Sequence, residues 1–275
     1  MVKQNLFSLE GKIFIITGAI GLMGKQHAHA IALFGGTPIL IDIDKKALKE
    51  FEKVINDKYK VDTTGYVVDI TSESKVQKNC NSILKKYKKI DGLINNAANN
   101  PKVEKGNMGL TSRLEYFRIE NWNNDISVGL TGAFICSKYY GHAISKNKNG
   151  GVILNISSDL GLISPDQRLY EIEGLEMNKQ PVKPISYSVI KSGLIGLTKY
   201  LATYWPGKIR CNAICPGGIE FGQPKHFLEK IEKLIPVGRM AKIDDYQGAV
   251  VFILSDASSY MNGAIIPIDG GRTTW

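Results

Sequence analysis

The chain has 275 residues, 43% of them apolar and 22% charged, which fits one large α/β domain spanning residues 1–275 and excludes a disordered or low-complexity chain. Its formal charge of +9 comes mainly from lysines in scattered pairs, Lys45-Lys46, Lys85-Lys86 and Lys88-Lys89, with little Arg. That is the pattern of a solvated face rather than a nucleic-acid surface, and it draws anionic small molecules at most.

No run approaches membrane-spanning length, and residues 1–10 lack the apolar stretch of a signal peptide, so no membrane partner is expected and the cytoplasm is the default location. The four cysteines are Cys80, Cys136, Cys211 and Cys215. Cys211 and Cys215 stand without a second pair or a nearby His, so buried reduced thiols are expected and no metal.

In chain order, residues 12–16 read as a strand, followed by the turn Thr17-Gly18-Ala19-Ile20-Gly21-Leu22-Met23-Gly24 and a helical run over 25–34 closed by Gly35-Gly36. Glycines between a strand and a helix let the backbone turn tightly against a pyrophosphate, whose charge is met by amides at the helix N-terminus. The second strand, 38–42, ends at Asp42. An acidic residue about two dozen positions after the first glycine accepts hydrogen bonds from the adenosine ribose and repels a 2′-phosphate. No Arg stands in the turn or directly after Asp42, so NAD is favoured over NADP, with Lys45 and Lys46 as the argument for the latter.

Further strands are predicted at 64–69, 92–95, 151–156, 209–214 and 264–268, alternating with helices that include 122–145 and 186–204. Strands apolar at consecutive positions, as in Val152-Ile153-Leu154, are covered on both faces. The prediction is a doubly wound Rossmann-type α/β fold with a seven-stranded parallel sheet.

Tyr187 and Lys191 lie in the helical pattern carried by Ile190, Leu194, Leu197 and Leu201. Four residues apart, they share one helical face, where an ammonium favours the phenolate and so activates a general base. Tyr204 and Lys208 repeat the spacing, but Pro206-Gly207 breaks any shared face. The strand before this helix ends in Ile156-Ser157-Ser158, which supplies a hydroxyl for the reacting oxygen.

These residues resemble the short-chain dehydrogenase/reductase superfamily, in its single-domain branch, over almost the whole chain. Thr17 to Gly24 is similar to its cofactor turn, with Thr17, Gly18, Gly21, Met23 and Gly24 at the matching positions. Asp69-Ile70 resembles its adenine-contacting pair, Asn95-Asn96-Ala97-Ala98 its Asn-Asn-Ala-Gly strand end, Pro216-Gly217-Gly218-Ile219 the segment closing over nicotinamide, and Asp269-Gly270-Gly271 its C-terminal signature. The resemblance implies that Tyr187 exchanges the substrate proton, Ser158 orients the carbonyl or hydroxyl, and Lys191 binds the nicotinamide ribose and lowers the Tyr187 pKa. Ser158 is chosen over Ser157 because Ser158-Asp159-Leu160-Gly161 reproduces the family spacing from serine to glycine. A homo-oligomer, in the family's manner a tetramer, would use helices 122–145 and 186–204 and the tail 264–275.

Three positions depart from the family pattern: Leu22 where Gly or Ala is usual, Ala98 where Gly is usual, and Gly129 where a helix usually carries the Asn of a proton relay. Glycine can keep a helix kink and leave room for water, but it offers no amide. Two segments exceed the family minimum, 99–118 and 164–184, and both should border the substrate mouth. The second holds Pro165-Asp166-Gln167-Arg168, with Gln167 and Arg168 as substrate-region candidates, and its charge points to a small polar substrate. With the Val128-Gly129-Leu130-Thr131-Gly132 helix, this insertion resembles dehydrogenases of bacterial surface-sugar and nonulosonate synthesis. The expected function is NAD-dependent hydride transfer to or from a secondary alcohol or ketone, plausibly of a sugar. The alternatives are an epimerase or dehydratase with transient NAD redox, and a non-catalytic NAD-binding regulator.

Overall fold

A computed structural model describes residues 5–99 and 111–275. The strands are β1 (Ile13–Thr17), β2 (Thr37–Asp42), β3 (Thr64–Val67), β4 (Gly92–Asn95), β5 (Gly151–Ile156), β6 (Ile209–Pro216) and β7 (Ile265–Ile268). All pair in parallel, in the order β3-β2-β1-β4-β5-β6-β7. This is the seven-stranded doubly wound sheet expected from the alternation of apolar runs.

Because successive strand residues point to opposite faces, each apolar run feeds two cores. Ile15, Ile39, Ile41, Leu93, Ile153 and Cys211 lie in one. Helix α3 (Glu73–Tyr87), the helical segment over residues 119–145 (α4) and α5 (Ile185–Tyr204) cover that face. Phe14, Ile16, Leu40, Ile94, Leu154 and Ile214 point the other way. There they meet α1 (Leu22–Leu33), α2 (Lys45–Tyr59) and α7 (Gln247–Leu254), the last following the short α6 (Lys225–Glu232). All four cysteines are buried free thiols, and burial pushes Cys80 up to about 11 and Cys211 up to about 12. Among the described residues no helix is long and apolar enough to cross a membrane, and no group of His, Cys, Asp and Glu could hold a metal ion.

Several boundaries differ from the sequence reading for local reasons. Helix α1 starts at Leu22 rather than Lys25, because Gly21, extended at φ −65° and ψ 167°, already serves as its N-cap. Strand β3 stops at Val67, short of Asp69. The Asp69 carboxylate accepts from the Thr71 amide (3.0 Å) and hydroxyl (2.6 Å), an Asx turn that draws the chain off the sheet. Helix α4 begins at Ile119 and contains two π-helical turns, Ser127–Thr131 and Ser137–Gly141.

The strand order turns at β1, which pairs with β2 on one side and β4 on the other. In such sheets a ligand binds outside the carboxyl ends at this switch point. The turn there is tight. Gly18 has φ +62°, and a Cβ on it would stand 2.8 Å from Ala97 Cα; a Cβ on Gly24 would stand 2.2 Å from the Gly18 carbonyl oxygen. Gly24→Ala is predicted to cost about 1–3 kcal/mol, seen as a lower urea midpoint at unchanged m, and to weaken nicotinamide-cofactor binding. An unchanged midpoint with full binding would show that this packing is not limiting.

Candidate active site

Thr17 and Asn96 set the shape of the glycine turn by joining β1 to β4. The Thr17 hydroxyl accepts from the Asn96 and Ala97 amides (3.0 and 3.1 Å), and the Asn96 side chain donates to the Thr17 and Gly18 carbonyls (both 3.0 Å). These bonds hold the backbone of Gly18, Gly21 and Met23 open on a cleft of about 1760 Å³. Thr17 and Gly24 therefore lie behind the surface, as its supports. The cleft is large enough for a dinucleotide and a small substrate together.

Asp42, Asp69, Ile70, Asn96, Ala97 and Ala98 line this cleft, as do Pro216, Gly217 and Ile219. Asp42 ends β2 with its carboxylate accepting from the amides of Ile20 (3.1 Å), Ile43 (2.8 Å) and Asp44 (3.3 Å). It is thereby held beside the glycine turn. The fit to a dinucleotide rests on this backbone cradle, whose close packing a Cβ at Gly18 or Gly24 would disrupt, with a fixed carboxylate one strand away.

At the other end, Ser158, Tyr187 and Lys191 come together from the end of β5 and the first turns of α5. Lys191 is buried and donates from Nζ to the Ile156 carbonyl (2.8 Å). Burial, with the nearby Lys183 charge, lowers its ammonium to about 8. Burial raises the Tyr187 phenol above its ordinary value; its hydrogen bond with Ser158 lowers it and the Asp159 carboxylate raises it. Both serines border the cleft; Ser157 donates its proton to the Lys191 carbonyl (2.7 Å), while Ser158 neighbours Tyr187.

The structure adds residues that spacing alone does not bring to the site. Lys183 places Nζ 3.9 Å from the Tyr187 ring centre, nearer than Lys191 at 5.6 Å, and burial lowers its ammonium to about 8. It stands four residues before Tyr187, a helical spacing, but Pro184 ends the helix between them, so the sequence carries no phase to place it. Asp159 and Arg272 form a buried ion pair (2.5 Å) beside Ser158. In the 3₁₀ turn Gln167–Tyr170, Leu169 and Tyr170 face the cleft.

The two substrate-region candidates do not line that cleft. Arg168 is 79% exposed and turned outward by its two-point ion pair with Asp166 (2.8 and 2.7 Å). Gln167 accepts the Lys183 backbone amide at Oε1 (2.8 Å), so it steadies Lys183 from behind. The wall they were expected to make polar is formed instead by Leu169, Ile172, Leu175, Phe221 and Phe227, with Lys179 and Lys183 among them. Most of the other long segment, 99–118, falls outside the described residues.

Gly129 lies in the first π turn of α4, but the space beside it is not open to water. A Cβ there would stand 2.7 Å from Ile190 Cγ2 of the catalytic helix. The isoleucine fills the place in which an Asn side chain would begin.

Comparisons with known proteins identify the family. The short chain dehydrogenase model matches residues 12–170, and a model described as enoyl-(acyl carrier protein) reductase matches residues 174–273. The NADP-dependent mannitol dehydrogenase of Alternaria alternata is 32% identical over 275 residues, covering 98% of this chain and 94% of that protein. The 3-oxoacyl-[acyl-carrier-protein] reductase of Thermotoga maritima is 33% identical over 275 residues, covering 96% and 98%. A crystal structure of NAD⁺-bound xylitol dehydrogenase superposes with a TM-score of 0.82 at 27% identity, over 96% of this chain and 99% of that one. The chain belongs to the short-chain dehydrogenase/reductase family and is an oxidoreductase of CH–OH groups that uses a nicotinamide cofactor.

The Gly129–Ile190 contact yields a test. Gly129→Asn is predicted to destabilise the protein by about 1–3 kcal/mol through overpacking and to lower activity by displacing α5. The double variant Gly129→Asn/Ile190→Ala should recover most of the lost thermal stability. If Gly129→Asn alone keeps wild-type stability, Ile190 can leave the position without cost.

Proposed function

We propose that the protein is an NAD-dependent dehydrogenase of a secondary alcohol on a sugar or polyol, with residues 1–275 forming one domain that carries both cofactor and substrate ends. The observation that carries the reading is the meeting of Tyr187, Lys191 and Ser158 at one end of a cleft whose other end is bounded by Asp42. The bound nicotinamide supplies hydride acceptance or donation. Tyr187 exchanges the proton of the reacting oxygen, and Ser158 holds that oxygen by its hydroxyl.

A free phenol titrates near 10, so a base for neutral pH needs a downward shift of roughly two to three units. Burial and the Asp159 carboxylate act against this, whereas the ammonium groups of Lys183 and Lys191, 3.9 and 5.6 Å from the ring centre, favour the phenolate. Both sit where an ionised ring would attract them more than a neutral one. Lys191, one helical turn beyond Tyr187 and anchored on Ile156, also offers donors to the nicotinamide ribose.

The polyol assignment draws support from the mannitol and xylitol dehydrogenases among the similar proteins. Their cofactors differ, NADP for one and NAD⁺ for the other, so the preference for NAD rests on Asp42. Lys45 and Lys46 follow at the start of α2 and are the groups that would answer a 2′-phosphate. The exposed aromatics Phe134, Tyr200 and Tyr204 on α4 and α5, and Trp275 at the tail, support a homo-oligomer, in the family's manner a tetramer. A cytoplasmic enzyme with no nucleic-acid or membrane partner completes the reading.

Mannitol, xylitol and sugar phosphates, followed by nicotinamide absorbance with each cofactor, test this. On a substrate so found, Tyr187→Phe should lose roughly a hundred-fold or more in kcat, the share general-base catalysis contributes, and still bind NAD. Full activity in that variant would remove Tyr187 from the proton step. Asp42→Ala should weaken NAD binding and Asp42→Arg should improve NADP use, because a carboxylate and a 2′-phosphate repel. Tighter binding of NADP than NAD by the unmodified protein would overturn the cofactor assignment. A regulator without turnover would consume no cofactor with any of these substrates while still binding it.

A further inference from the structure

The C-terminal turn reaches the reacting centre. Asp269 accepts the amides of Gly271 (2.9 Å) and Thr273 (2.8 Å), and Gly270 and Gly271 take left-handed φ values of +67° and +88°. Two consecutive left-handed residues reverse the chain in a way only glycine adopts without strain. The reversal directs Arg272 back under the sheet edge, where it is 7% exposed and its guanidinium meets Asp159 Oδ2 at 2.5 Å. The other carboxylate oxygen, Oδ1, accepts the Ser158 hydroxyl proton at 2.7 Å and the Leu160 amide at 2.8 Å.

A serine has one proton to donate. Given to Asp159, and with one lone pair taken by the Leu160 amide (3.2 Å), it leaves a single lone pair for Tyr187 and the cleft. The carboxylate is also a negative charge beside a phenol that must ionise, and it is tolerable there only because a guanidinium is locked against it.

We propose that Asp159 and Arg272 are positioning residues of the active site: Asp159 sets the direction of the Ser158 hydroxyl, and Arg272 cancels the Asp159 charge at Tyr187. The proposal rests on the reading of Ser158 and Tyr187 as the reacting pair. In this arrangement Ser158 accepts a hydrogen bond from an alcohol O–H and must turn away from Asp159 to donate to a ketone. Among the described residues, the other groups facing Tyr187 and Asp159 are Lys183 ahead of the helix, Lys191 on it, Tyr170 in the 3₁₀ turn, Cys215 at the end of β6 and Tyr246 before α7. All are unchanged in the variants below.

The signs are opposite for the two members. Asp159→Asn removes a negative charge and frees the serine proton for the phenolate, so the Tyr187 titration should move down by roughly one pH unit; Arg272→Met exposes the carboxylate, so it should move up by a similar amount. Arg272→Lys should stay at the wild-type position, and the double variant Asp159→Asn/Arg272→Met should return toward it.

The readout is the NMR signal of carbon-labelled tyrosine in the free protein, with the Tyr187 resonance identified by its loss in Tyr187→Phe. Loss of packing alone would shift many tyrosines together and would not reverse sign between the variants. Should Arg272→Met fail to fold, the comparison of Asp159→Asn with the double variant decides. A Tyr187 titration unmoved in Asp159→Asn, or moved the same way by both single variants, overturns the proposal. Wild-type turnover by Tyr187→Phe would instead overturn the reading of the reacting pair.

Discussion

A chain of buried amides and hydroxyls fixes the distance between the sheet and the helix that bears Tyr187. Asn95, at the end of β4, donates to Asn155 Oδ1 on β5 (2.8 Å) and to the Ser137 hydroxyl in α4 (3.0 Å). Asn155 in turn donates to the Thr198 hydroxyl of α5 (2.8 Å), which donates to the Leu194 carbonyl (2.8 Å). Buried polar groups are costly unless paired, so this register of two strands and two helices is favoured over small slips that an apolar interface would tolerate. The end of β5, with Ser157 and Ser158, and the first turns of α5, with Tyr187 and Lys191, inherit that spacing. Ser157 adds a second tie through the Lys191 carbonyl.

On this frame the cleft is divided by charge. One end carries Asp42, held by amides of its own loop and of the glycine turn, and Asp69, held by the Thr71 amide and hydroxyl. Its reacting end carries Lys183 and Lys191 around one phenol, with Asp159 and Arg272 neutralising each other beneath. Burial lowers both ammonium groups toward about 8, and the Lys183 charge adds to the lowering of Lys191. Their crowding favours a negative charge on Tyr187 or on a reacting oxygen. Stability is given up at the place where charge develops.

The elements that obey local rules were legible in the amino-acid order. Five of the seven strands could be found because a strand buried on both faces must be apolar at consecutive positions, and parallel pairing follows from the helices between them. Tyr187 with Lys191, and the glycine turn with Asp42, were legible because each depends on spacing within one element or across one strand–helix–strand unit. Even the choice of Ser158 over Ser157 could be made from its distance to Gly161. Boundaries slipped where a side chain intervened, as when the Asp69 turn ended β3 early.

What only the tertiary structure decided are contacts between residues with no sequence relation to one another. Arg272 meets Asp159 across 113 positions because a left-handed glycine pair reverses the chain. Lys183 lies over Tyr187 although Pro184 breaks the helical phase between them. Ile190 takes the room that glycine at 129 was expected to leave for water, and Arg168 turns to solvent because Asp166, two residues before it, captures its guanidinium. By itself, the sequence determined the sheet, the glycine turn and the meeting of Ser158, Tyr187 and Lys191, since periodicity and short-range geometry are properties of the chain. The charges surrounding Tyr187 and the shape of the substrate wall were settled by packing, because burial and long-range pairing arise only when distant segments meet.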